Sequence, residues 1–275
     1  MLLQLRTRAL PARPTPHLMG IVNVTPDSFY DGGSTATPDA AVRRSLQLVE
    51  NGATVIDVGG MTAQPGVVLT AQEEAARVLP VLEGIRGAGC QAIISVDTYR
   101  ADVAAAVLDA GADIINDHTG LSDPDLAPAV AERKGGIVVT HLGIAPKQVQ
   151  GGRYDISPRE IAAFLEQRAA RAVAAGIDPH ALVVDPGLGF GKSTTSDLET
   201  LRALPGLLGL GYPLLLACSH KEVTAEPLDL PESNLEGTAA VVAVAAYLGV
   251  QILRVHDLPF MANIARMAAL MRPAG

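Results

Sequence analysis

The sequence predicts a single-domain (β/α)8 TIM-type barrel, and three features carry that expectation. Eight short apolar runs rich in β-branched residues recur along the chain, Ala-, Leu- and Arg-rich helical patterns lie between them, and each run turns polar in or just after its second half. A doubly wound open sheet is the alternative, but such sheets rarely need eight strand–helix units. No linker or change of composition divides the chain, so residues 1–17 read as an N-terminal arm and 18–275 as the barrel.

The first run, "LMGIVNVT" (18–25), is followed by the helical pattern "DAAVRRSLQLVENGA" (39–53), which Gly52 stops. The second run is "TVIDVGG" (54–60). The helix after it, "TAQEEAARVLPVLEGI" (70–85), opens with a capping box of Thr70 and Glu73. The third to fifth runs, "AIISVDT" (92–98), "DIINDHT" (113–119) and "GIVVTHL" (136–142), are largely apolar in their first halves, as strands buried on both faces should be. "SPREIAAFLEQRAARAVAAGI" (157–177) is the longest helical pattern. The last three runs are "LVVDPGLG" (182–189), "PLLLACS" (213–219) and "ILRVHDL" (252–258).

With 275 residues, 48% of them hydrophobic, the chain can bury a large core. A formal charge of −8 gives no reason to expect nucleic acid or an anionic membrane as partner. Cys90 and Cys218 are the only cysteines and neither has zinc-type spacing, which points to a reducing, cytoplasmic setting. The start, "MLLQLRTRALPARPTPH", lacks a long apolar core and a small-residue cleavage site, so it reads as a leader strand or loose arm rather than a signal peptide. No apolar run approaches the roughly 18 residues that a membrane span needs.

The polar strand endings are Asn23, Asp57, Asp97, Asn116 with Asp117, His141, Asp185, Ser219 with Lys221, and Arg254 with His256. In a barrel these converge on the C-terminal rim, where such folds keep their active sites. Arg254 and His256 are two apart and point to the same side of their strand. Together with Lys221 and His220 they suit a multiply charged anion such as pyrophosphate. Asn23 offers a neutral oxygen to a Mg²⁺ ion held against that anion. Asp97, Asn116 and Asp185 supply acceptors for the paired N–H donors of a 2-amino-pyrimidinone ring, and Lys221 donates to its acceptor edge. An internal Lys–Asp pair closing the barrel top is the plainer alternative.

"GIVNVTPDSFYDGG", "GATVIDVGG", "ISVDTYR", "IINDHTG", "VVDPGLGFGK" and "ILRVHDL" resemble, in order and spacing, the dihydropteroate synthases. That family joins 6-hydroxymethyl-7,8-dihydropterin pyrophosphate to p-aminobenzoate and releases pyrophosphate. The resemblance implies that Asp97, Asn116, Asp185, Phe190 and Lys221 bind the pterin, and that Asn23 meets Mg²⁺. It assigns Asn23, Thr62, Arg254 and His256 to the pyrophosphate, with Asp97, Lys221, Arg254 and His256 as the catalytic set. Thr25, Pro26, Asp27, Phe29, Ala63, Gln64, Ser219 and His220 would form the second-substrate pocket and its loops. It also implies a homodimer through helices late in the barrel.

The chain departs from the family pattern at three places, one of them Asn234 before strand eight, where an arginine often stands. The loop that usually reads Gly-Gly-Glu-Ser-Thr-Arg-Pro-Gly is "GGMTAQPG" here, so Ala63 and Gln64 stand where a hydroxyl and a guanidinium are expected. The strand-seven Ser-Arg-Lys is Ser219-His220-Lys221. The expected activity is therefore dihydropteroate synthesis. The alternatives are a weakly active or inactive pterin-binding paralogue and a pterin-dependent methyltransferase barrel.

Overall fold

The computed structural model describes residues 2–24, 37–61, 68–143, 153–231 and 234–273. Its chain begins with a small antiparallel hairpin, β1 (Leu3–Gln4) and β2 (Ala9–Leu10), and then builds eight parallel strands. These are β3 (His17–Asn23), β4 (Val55–Gly59), β5 (Ile93–Asp97), β6 (Ile114–Asp117), β7 (Gly136–Thr140), β8 (Leu182–Asp185), β9 (Leu215–Ala217) and β10 (Ile252–Val255). Seven of the eight apolar runs contain a whole strand, and the first overlaps β3, which begins one residue earlier at His17. The hydrogen-bonded order is β8-β7-β6-β5-β4-β3-β10-β9. The ends of that sheet meet through a parallel bridge between Val184 and Leu214, with Val184 N–H donating to the Pro213 carbonyl at 3.0 Å. A sheet closed in this way has no exposed edge.

Outside the strands run α1 (Pro38–Glu50), α2 (Ala71–Gly87), α3 (Ala101–Asp109), α4 (Leu126–Glu132), α5 (Pro158–Ala174), α6 (Thr194–Arg202), α7 (Leu204–Leu208), α8 (Glu222–Ala225), α9 (Glu236–Leu248) and α10 (Leu258–Leu270). The Thr70–Glu73 capping box forms as expected, with Glu73 N–H donating to Thr70 Oγ1 at 3.2 Å and Thr70 N–H to Glu73 Oε2 at 2.7 Å. Ser157 and Glu160 make a second capping box at the start of α5. Between helices and sheet lies one continuous apolar core that includes Leu48, Val81, Ile94, Ile115, Leu165, Val184 and Leu253.

A second cluster fills the barrel itself. Met19, Val55, Ile93, Ile114, Val138, Val183, Leu215 and Ile252 point inward and meet Leu3, Leu5 and Leu10 of the hairpin. The N-terminal segment thus pairs on itself and seals the barrel floor. Its anchor is electrostatic as well as apolar. Asp113 accepts from Arg8 at 3.0 Å and Arg86 at 2.5 Å, and His17 bridges the Pro11 carbonyl (2.8 Å) and Thr54 Oγ1 (3.1 Å).

Candidate active site

The inward row of each strand is apolar at the floor and polar at the mouth, because strand side chains alternate with period two. Asp57 stands two residues after Val55, Asn116 two after Ile114, Asp185 two after Val183 and Arg254 two after Ile252. One layer higher on the same parity come Asn23, Asp97, His118, Ser219 and His256.

The centre of this layer is a buried charge network. Arg254 Nε donates to Asp57 Oδ2 at 2.8 Å, and Asn116 Nδ2 donates to the same oxygen at 3.0 Å. The other side of the Arg254 guanidinium lies 3.8 Å from Asp97 Oδ2. Burial works against the Arg254 charge, but Asp57, Asp97 and Asp185 outweigh it and hold the group above its ordinary value. Asp97 Oδ1 in turn meets His118 Nδ1 at 2.8 Å.

Lys221 and Asp185 face the same mouth without forming a direct ion pair. Lys221 Nζ donates to the Leu188 carbonyl and lies 5.0 Å from the Phe190 ring centroid. Asp185, 3% exposed, accepts from Gly187 N–H at 2.7 Å. Burial raises the Asp185 carboxyl and lowers the Lys221 amine, and each opposes the other's shift by its charge. The turn that runs from Asp185 to Leu188 admits only glycine at Gly187. Its φ is +68°, and a Cβ there would sit 2.1 Å from the His141 carbonyl oxygen.

Histidine chemistry differs from the simplest expectation of cationic rings around an anion. His256 is driven well below its usual value by burial and by Arg254, so it enters as a neutral ring whose Nδ1 lies 3.1 Å from Ser219 Oγ. His220, with a left-handed φ of 54°, places Nε2 2.6 Å from Asp257 Oδ2 and stacks edge-on against His256 at 5.1 Å.

Two strand-end residues expected on the rim turn outward instead. Asp117 is fully buried and accepts from Thr119 N–H (2.8 Å) and Leu121 N–H (2.5 Å), bracing the turn after β6. His141 packs edge-on against Phe164 of α5 at 4.7 Å, and burial lowers it to about 3. Both alternate out of register with the inward row, which their positions next to Asn116 and Thr140 require. Thr25, Pro26, Asp27, Phe29, Thr62, Ala63 and Gln64 lie outside the described residues.

Sequence reasoning gave no site role to Asp57, His118 or Lys192. The parity rule applied to Val55 and Ile114 finds the first two. Lys192 has no such signal: it is 1% exposed, donates to the Gly187 carbonyl at 2.5 Å, and burial lowers it to about 8.

A family model described as pterin binding enzyme matches residues 19–256. The chain belongs to the dihydropteroate synthase family. It is 40% identical over 262 residues to the dihydropteroate synthase of Bacillus subtilis, covering 94% of this chain and 89% of that protein. It is 42% identical over 261 residues to the "Inactive dihydropteroate synthase 2" of Mycobacterium tuberculosis, covering 92% of this chain and 81% of that one. A probable bifunctional folylpolyglutamate synthase/dihydropteroate synthase of Haloferax volcanii is 43% identical over 88% of this chain, which spans only 29% of that protein's length. Among solved dihydropteroate synthases, that of Yersinia pestis in a sulfonamide drug complex superposes with a TM-score of 0.92 at 35% identity, over 100% of both chains.

Proposed function

We propose that the protein is a dihydropteroate synthase, condensing 6-hydroxymethyl-7,8-dihydropterin pyrophosphate with p-aminobenzoate. The observation that carries this reading is the single inward row in which Asp97, Asn116, Asp185 and Arg254 share the barrel mouth with Lys221. A flat ring with paired N–H donors on one edge and acceptors on the other is matched by carboxylates opposite an ammonium.

Transfer breaks the bond from the pterin methylene to the diphosphate oxygen and forms one from the methylene to the arylamine nitrogen. Positive charge grows on the methylene and the pterin ring as the diphosphate leaves. Asp97 supplies fixed negative charge on the ring side, and Arg254 supplies positive charge on the departing side. Neutral His256 offers a ring nitrogen rather than a full charge. The apolar floor beneath the row and the Phe190 ring beside Lys221 offer apolar surface that would limit water at the reacting carbon.

The residues present fit a Mg²⁺ ion. Asn23 Oδ1 is a neutral oxygen on the mouth side of β3, next to Gly59, where a Cβ would lie 3.6 Å from it. A magnesium ion that takes most of its oxygens from a diphosphate and water needs few protein ligands, and Asn23 would be one. When bound, such an ion neutralises charge on the leaving group.

A homodimer is supported by the apolar face that α9 and α10 turn outward, where Val244, Tyr247, Phe260, Met267 and Leu270 are all exposed. Buried free thiols at Cys90 and Cys218 are compatible with a reducing cytoplasm, and no helix among the described residues is long and apolar enough to cross a membrane.

A pterin-binding protein with weak or lapsed synthesis is the second reading. It is favoured by the engagement of His220 with Asp257 at the position where the family pattern has an arginine, and by the likeness to the inactive mycobacterial paralogue. One experiment separates the two: calorimetry of pterin pyrophosphate binding beside a transfer assay with p-aminobenzoate. Synthase function requires binding and product, both lost in Asp185→Asn and Lys221→Ala. Tight binding without product leaves the second reading standing, and unchanged affinity in either variant overturns the pterin seat.

A further inference from the structure

His118 is a residue of the barrel mouth that the reaction above does not use. It is 7% exposed, lies on the inward parity of β6 four residues after Ile114, and presents Nδ1 to Asp97 Oδ1 at 2.8 Å. Its ring is parallel to Phe190, 5° between planes and 6.0 Å between centroids, and meets Tyr99 edge-on at 5.7 Å. These contacts hold the imidazole against Asp97.

We propose that His118 is a positioning residue for Asp97: its Nδ1–H holds one carboxylate oxygen, Arg254 flanks the other, and the carboxylate is thereby presented in one rotamer to the pterin ring. This rests on the reading of the mouth as a pterin seat and deepens it. One donor on Asp97 Oδ1 leaves the remaining lone pairs of the carboxylate for ligand N–H groups.

The test is calorimetric binding of 6-hydroxymethylpterin at about pH 7.5. Asparagine places an amide N–H close to the position of imidazole Nδ1, so His118→Asn should bind within about threefold of wild type. His118→Val lacks the donor and should bind about tenfold or more weakly. Wild-type affinity in a folded His118→Val, or a loss of about tenfold in His118→Asn, overturns the proposal. If His118→Val does not fold, the Asn variant decides alone. Wild-type protein that binds no pterin overturns the pterin seat itself, a different result from either.

Discussion

Arg254 on β10 and Asp57 on β4 meet inside the barrel mouth, Nε to Oδ2 at 2.8 Å, although 197 residues separate them in the chain. Asp57 is fully buried, and the same oxygen also receives Asn116. The pair sits directly beneath Asp97 and so couples the two halves of the site. A buried ion pair adds little to stability when compared with a well-packed apolar substitute, yet removing one member leaves the other charge uncompensated.

Asp57→Asn should therefore destabilise the protein by about 3 kcal/mol in urea unfolding, and Arg254→Met by a similar amount. The double variant should lose clearly less than the sum of the two. Strict additivity would show that the two side chains do not act as a pair.

Acid stability should depend on His17. Burial lowers its ring to about 4, against which the Pro11 carbonyl acts only in part. The folded form stays neutral where the unfolded chain already takes up a proton. Stability is then complete above about pH 6.5 and declines as pH falls toward about 4, by on the order of 1–3 kcal/mol. His17→Gln should make that decline shallower in urea midpoints measured from pH 4 to 7. A slope equal to wild type would remove His17 as a cause, and a residual slope over the same range is expected from His141, lowered to about 3, and His256, lowered well below its usual value.

Turnover should respond to the residues that depart from the family pattern. Each missing arginine removes a charge-assisted hydrogen bond of about 1.5–3 kcal/mol. If synthesis has lapsed for that reason, Ala63→Thr with Gln64→Arg should raise kcat/KM by roughly tenfold or more, and adding His220→Arg should raise it further. An unchanged rate in the triple variant points to a different acceptor rather than a weakened one. His220→Arg also removes the His220–Asp257 contact, so its fold stability should be followed in parallel.

The eight strands were legible because each is a short β-branched run ending in a polar residue, and Thr70 with Glu73 marked the start of α2 through local chemistry alone. Asn23, Asp97, Asn116, Asp185, Lys221 and Arg254 could likewise be singled out from strand-end position and residue type. Asp117 and His141 show where that reasoning fails. A strand end has two faces, and a difference of one residue decides between the barrel mouth and the helix layer.

The sequence by itself determined the architecture, the family and the residue types available at the rim, because strand periodicity and local capping are written in neighbouring residues. Only the tertiary structure decided how those residues divide the charge. Closure of the barrel brings Arg254 to Asp57, gives Asp97 both Arg254 and His118, and turns Lys221 to the Leu188 carbonyl. These distances depend on stagger between strands far apart in the chain. Burial at the end of that packing, rather than residue type, makes His256 neutral while Arg254 keeps its charge.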